Sequence, residues 1–120
     1  MSDSKQLTVY RMPGPRIIER DQVQRIGDEI GSLLVSERGL WIALDFGDVE
    51  AINSIALGML VSLRGQVKAR GGQMVLMGIV SEGIAKVIET TRLASLFPIA
   101  SDEGAALEAC RNPTLPFWLE

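Results

Sequence analysis

The sequence predicts an α/β protein: a mixed sheet of four to five strands with about four helices packed on it. Three observations carry that reading. The runs 40–46 and 74–79 are too continuously apolar for strands with one wet face and read as central, covered strands. The stretch between them, 54–70, repeats Ala56, Leu60, Leu63 and Val67 at helical spacing, and a helix joining two such strands demands a right-handed parallel crossover. Strand-like and helix-like stretches also alternate along the chain, which calls for one sheet with helices on it.

Residues 7–12 form a short β-like run closed by the turn signal Pro13-Gly14-Pro15, and Ile17-Ile18 suggests a second short strand. The first helix is expected to begin at Asp21 as N-cap, with Gln24 three residues on in a capping-box arrangement. Val23, Ile26, Ile30, Leu33 and Leu34 give it one apolar face, and Arg38-Gly39 ends it. The second helix has Ser54 as its first candidate cap and Gly71-Gly72 as its stop. Ser81-Glu82 opens a third helix that ends near Thr90-Thr91. The short apolar segment around Pro98 reads as an edge strand, and Ser101-Asp102-Glu103 starts a last helix through Ala105, Leu107 and Cys110. No repeat, low-complexity tract or linker interrupts the 120 residues, so one domain over 1–120 is expected.

Composition narrows the function. Hydrophobic residues make up 47% and charged ones 22%, the balance of a globular chain. The net charge of −3 comes without a basic cluster, which argues against nucleic acid as a partner. One cysteine excludes an internal disulfide and suits a reducing compartment. The start of the chain is polar, without the apolar centre of a signal peptide, and no apolar run reaches the roughly 20 residues needed to span a bilayer. The expectation is a soluble, cytoplasmic protein without direct membrane insertion. The absence of histidine removes Ser-His and Cys-His dyads and His-based metal sites. The acids fall at helix starts and turns, so the expectation is a non-enzymatic protein with no cofactor and no metal.

The stretch 44–60 carries the functional signal. A serine hydroxyl at a helix N-terminus lies where unpaired N–H groups and the positive end of the macrodipole favour an anion. Ser54 is thus either a phosphoacceptor or a plain cap, and its replacement by Ala is expected to cost about 0.5–2 kcal/mol on either reading, because it caps the helix in both. Asn53 is either a ligand contact or a turn residue. Asp45 and Asp48 either hold the loop, face a partner or are solvated. Gly58 is read as permitting close helix–sheet packing. Residues 113–119 are apolar and are expected to cover the domain's own surface, ahead of meeting a partner or a second copy of the chain.

Leu44-Asp45-Phe46, then Asn53-Ser54-Ile55-Ala56-Leu57-Gly58, Lys68-Ala69-Arg70-Gly71-Gly72, Thr91-Arg92-Leu93 and Leu96-Phe97-Pro98-Ile99 follow one another in an order and spacing that resembles the STAS domain of anti-sigma factor antagonists over residues 20–110. In that family a strand ending in Leu-Asp-hydrophobic leads to the loop pattern Asp-Ser-Ser/Ala-Gly-Leu-Gly. Here Asn53 stands for the Asp, Ile55 for the small residue and Ala56 for the Gly, and the family's N-terminal hairpin is not evident around Pro13 to Arg20. The resemblance implies a partner switch. The serine after the loop acid, Ser54 here, is phosphorylated by a serine kinase-like anti-sigma factor that also sequesters a regulator, and a serine phosphatase resets it. The implied partner-binding residues are Asp48, Asn53, Ser54, Ile55 and Gly58. The alternative is a STAS subunit without phosphoregulation, part of a lipid-transport or stressosome-like assembly. The sequence sets no oligomeric state.

Overall fold

The order of the elements decides which side of the sheet each helix occupies. The computed structural model describes residues 6–112; the polar start 1–5 and the apolar stretch 113–119 lie outside the described residues. The elements are β1 (Leu7–Arg11), β2 (Arg16–Ile17), α1 (Arg20–Ser36), β3 (Trp41–Asp45), β4 (Ala51–Ile52), α2 (Ser54–Ala69), β5 (Gln73–Met77), α3 (Glu82–Thr91), a 3-10 turn (Leu93–Ser95), β6 (Ile99–Ala100) and α4 (Glu103–Arg111). The main sheet runs β1-β3-β5-β6 and a second, two-stranded sheet pairs β2 with β4.

The expected mixed sheet is parallel at every described pairing. The reason lies in the connections. Each step across the main sheet contains a helix, and a helix carries the chain back to the starting end so that the next strand runs the same way. All three steps move in one direction, so with a uniform hand of crossover the connecting helices fall on one face. The apolar core bears this out. Ile42, Leu44, Met74 and Leu76 pack with Ile26 and Ile30 of α1, Leu60 and Leu63 of α2 and Ile84 of α3. The alternate residues Ala43, Val75 and Met77 face the other way, under Ala106 and Cys110 of α4.

The boundaries show where local chemistry outweighs pattern. The first helix starts earlier than expected: Glu19, not Asp21, is its N-cap, without a side-chain cap bond. Gln22 takes the reach-back role assigned to Gln24. Its Oε1 accepts from the Ile18 N–H at 3.2 Å and its Nε2 donates to the Arg16 carbonyl at 3.0 Å, tying the helix start to β2. Gln24 instead donates to Asp28 one turn on, at 3.0 Å. The stop at Gly71-Gly72 is a Schellman motif. The Gly72 N–H donates to Val67 O at 2.9 Å and the Gly71 N–H to Lys68 O at 3.1 Å, with Gly71 at φ 76°. The third and fourth helices are capped by Ser81 and Asp102, whose side chains accept from Ile84 N and Ala105 N.

Candidate functional site

The C-terminal ends of β1 and β3 leave two loops side by side, and α2 starts between them. In parallel sheets this end is where binding crevices form. The loop after β3 is pinned from beneath by Phe46 and Val49, each 1% exposed. Phe46 N donates to Met77 O and Val49 N closes a turn onto Phe46 O at 3.0 Å. The half-buried Asp45 turns inward: its Oδ1 accepts from the Gly47 N–H at 2.8 Å. Asp48 is exposed and pairs with Arg11 Nε at 2.9 Å. With both side chains more than half exposed, that pair orients the loop and adds little stability.

Gly14 fixes how closely the two loops approach. A Cβ there would sit 1.7 Å from the Asp48 carbonyl oxygen, so any larger residue pushes the loops apart. The Pro15 carbonyl then accepts from the N–H groups of Glu50 and Ala51, at 2.7 and 3.2 Å. This contact sets up the β2–β4 ladder, in which Ile17 stands opposite Ile52. From the far side Ser81 Oγ donates to the Glu50 carbonyl at 3.4 Å, joining the start of α3 to the loop. Arg11, Gly14, Pro15, Ile18 and Ser81 are the supporting residues that sequence reading missed. The Pro13-Gly14-Pro15 turn was the one local signal, and nothing in it points to a partner loop more than thirty residues away.

The structure corrects the capping assignment. Asn53, in extended backbone geometry, is the N-cap of α2, and its Oδ1 accepts from the Ala56 N–H at 3.2 Å. Its Nδ2 donates to the Ile18 carbonyl at 2.9 Å. One amide thus caps the helix and holds it to the strand end before α1. An Asp at this position accepts but has no N–H to donate. Ser54 is the first helical residue and is exposed, and its hydroxyl has no hydrogen-bond partner among the described residues. The first intrahelical bond runs from Leu57 N to Asn53 O, and Asn53 takes the Ala56 N–H. The N–H groups of Ser54 and Ile55 are left to water or an incoming anion.

The residues that follow divide between core and surface. Ala56 is 1% exposed and packs in the core, while Ile55 is 38% exposed beside Ser54. Gly58, expected to permit close packing against the sheet, faces solvent instead, and a Cβ there would meet nothing within 4 Å. It lies four residues after Ser54, on the same helix face. Helical side chains lean toward the N-terminus, so a larger residue at 58 would overhang Ser54. Its absence of side chain keeps the hydroxyl approachable. Asp48, Asn53, Ser54, Ile55 and Gly58 therefore share one end of the molecule. Among the described residues no group of three or more His, Cys, Asp or Glu comes together as a metal site.

The STAS-domain family profile matches residues 4–106. The chain belongs to the STAS-domain family. Solved structures of the same fold include a candidate anti-sigma factor antagonist from Thermotoga maritima (TM-score 0.73, 21% identity, covering 87% of this chain and 88% of that one). A sulfate transporter family protein from Wolinella succinogenes is also similar (TM-score 0.67, 16% identity, 88% of this chain and 84% of that one). No curated protein matches the sequence. Within the STAS fold the loop 46–53 and the first turn of α2 are thus held by bonds from β1, the β2 end and α3. No described helix of this domain is long and apolar enough to cross a membrane.

Proposed function

We propose that this STAS domain is a non-enzymatic partner switch of the anti-sigma-factor-antagonist kind, acting in the cytoplasm and controlled at Ser54. The observation that carries the reading is the division of labour at the start of α2. Asn53 does the capping, and the exposed Ser54 hydroxyl is left without a structural task. A serine kinase-like anti-sigma factor docks on residues 48–58, with Ile55 supplying the apolar contact and Gly58 the clearance. Within the complex the kinase transfers the γ-phosphoryl group of ATP to Ser54 Oγ. ADP leaves, and the hydroxyl proton passes to a base on the kinase. A serine phosphatase reverses the change by hydrolysis.

The energetic logic is local. A phosphate brings about −1.5 to −2 charges to a helix start that accepts an anion through its open N–H groups, so the domain stays folded. The same charge pressed against a partner surface fitted to a neutral hydroxyl and Ile55 must be desolvated, which is costly unless paired. Binding is therefore lost while the fold persists.

The test begins with affinity capture of the kinase-like partner, with and without ATP, followed by titration calorimetry of wild type, Ser54→Ala and Ser54→Asp. The expected result is tight binding by wild type and Ser54→Ala, and binding weakened at least tenfold by Ser54→Asp. Equal affinities for all three would remove Ser54 as a switch and leave the domain as an unregulated subunit of a larger assembly.

A further inference from the structure

The main sheet has two edges of unequal length. β6 at one edge has two residues, too short to template another strand, whereas β1 at the other has five. β1 runs unbroken against β3 from Leu7 to Arg11, and among the described residues nothing pairs with its other side. Natural edge strands are blunted by Pro, by Lys or by a bulge. β1 has none of these, and its one charge, Arg11, stands at its end and is paired with Asp48. Val9, in its middle, keeps 37% exposure.

The ladder fixes which backbone groups of β1 are open. Met12 N donates to Asp45 O, so the alternation of a parallel pair turns the groups of Thr8 and Tyr10 toward β3 as well. The N–H and C=O groups of Leu7, Val9 and Arg11 therefore turn outward. That pattern is self-complementary about Val9. We propose that a second copy of the chain pairs antiparallel with β1 across a two-fold axis at Val9, joining the two four-stranded sheets into one. Val9 and the partner subunit's Val9 then exchange both backbone hydrogen bonds, and Leu7 does the same with the partner subunit's Arg11. The two arginines stand at opposite ends of the seam, so no like charges are opposed.

The helices fit the same occupant. A two-fold axis perpendicular to the joined sheet places both copies of α1 on one face, running antiparallel. α1 packs over β1 and β3, so the copies stand two strand spacings apart, about 10 Å, the separation of packed helices. The space between is a groove of about 410 Å³, with Val9, Tyr10 and Arg11 on one wall and Gln22, Arg25 and Glu29 on the other. Arg25 has no ion-pair partner among the described residues, and Tyr10 takes only Oε1 of Glu29. One charge of each sign, a helical turn apart, meets an opposite charge for each in its own antiparallel copy. α2 joins β3 to β5 and carries Ser54 away from the seam, so the pairing is independent of the switch.

The test is sedimentation equilibrium of the full chain at micromolar concentration, beside Val9→Lys and Val9→Glu. Wild type is expected to be a dimer, twice the 13.1 kDa chain mass. Each substitution alone sets like charges opposite one another at the axis. It is expected to weaken dimerisation at least tenfold with an unchanged far-ultraviolet circular dichroism spectrum. Mixing the two variants sets opposite charges there and is expected to restore the dimer. A monomeric wild type overturns the proposal. So does a dimer that neither substitution weakens, or a mixture of folded variants that stays monomeric. Wild-type amide exchange supplies a reading free of substitutions. The Val9 and Arg11 N–H groups are expected to exchange more slowly as chain concentration rises, while Thr8 and Tyr10 stay protected throughout. Exchange at Val9 and Arg11 that ignores concentration also overturns the pairing.

Discussion

Asn53 and Ser54 are adjacent helix-start residues of similar capping chemistry, and they have separate tasks. Asn53→Ala removes both the bond to Ala56 N and the bond to Ile18 O, so a loss at the upper part of about 0.5–2 kcal/mol is expected. Ser54→Ala removes a hydroxyl that bonds to nothing described, and is expected to change stability by less than about 0.5 kcal/mol. Urea unfolding of the two variants checks both, and the second value replaces the larger loss expected if Ser54 were the cap. Tyr10, the single tyrosine, gives a residue-scale pH signature. Burial, with a hydrogen bond and the negative charge of Glu29 behind it, pushes its pKa from 10.0 up to about 12. The folded state therefore holds the neutral phenol while the unfolded chain ionises near the ordinary value. That contribution to stability is intact below about pH 10 and is lost between 10 and about 12. Ultraviolet titration of tyrosinate is expected to show a midpoint near 12, and Glu29→Gln to move it part of the way back toward 10.0, since burial remains.

At the scale of elements, glycines of the α2 unit divide by what surrounds them. Gly72 closes α2 against the start of β3, where an added Cβ would lie 2.3 Å from the Leu40 carbonyl oxygen. Gly72→Ala must displace backbone and is expected to cost about 1–3 kcal/mol. Gly58 looks into open space from within the helix, so Gly58→Ala is expected to add about 0.5–1 kcal/mol of stability. If residues 48–58 are the docking surface, the same change weakens partner binding, and thermal denaturation beside calorimetry separates the two effects. The elements that sequence reading placed well are the ones with strong internal signals. β3 and β5 are continuous apolar runs, and the end of α2 is marked by paired glycines. β4 escaped it because two residues, Ala51–Ile52, have no period to read. They are a strand only because Pro15 and Ile17 arrive beside them. The cap of α2 was placed one residue late because Asn and Ser are both good caps. The choice between them depends on the Ile18 carbonyl, thirty-five residues away in sequence. The exposed side of Gly58 was equally invisible, since a glycine in a helical pattern does not say which way it faces.

At the scale of the molecule, every described strand of the main sheet lies beside its predecessor in the strand order, and α4 touches all four. That arrangement has a consequence for synthesis on the ribosome. As the chain emerges, β1, β3 and β5 with α1 and α2 can assemble in the order of their appearance, each needing only what has already been made. The opposite face has no such sequence. It waits for α4, which is made after every strand it covers and contacts all four of them. Pulse-labelled hydrogen exchange during refolding is expected to protect the amides of β3 and β5 before those of α4, and simultaneous protection would contradict this order. A growing chain halted before residue 103 would therefore present one finished face, with Ser54 already in place on it, and one bare apolar face. Such a chain is a natural substrate for a chaperone until α4 arrives.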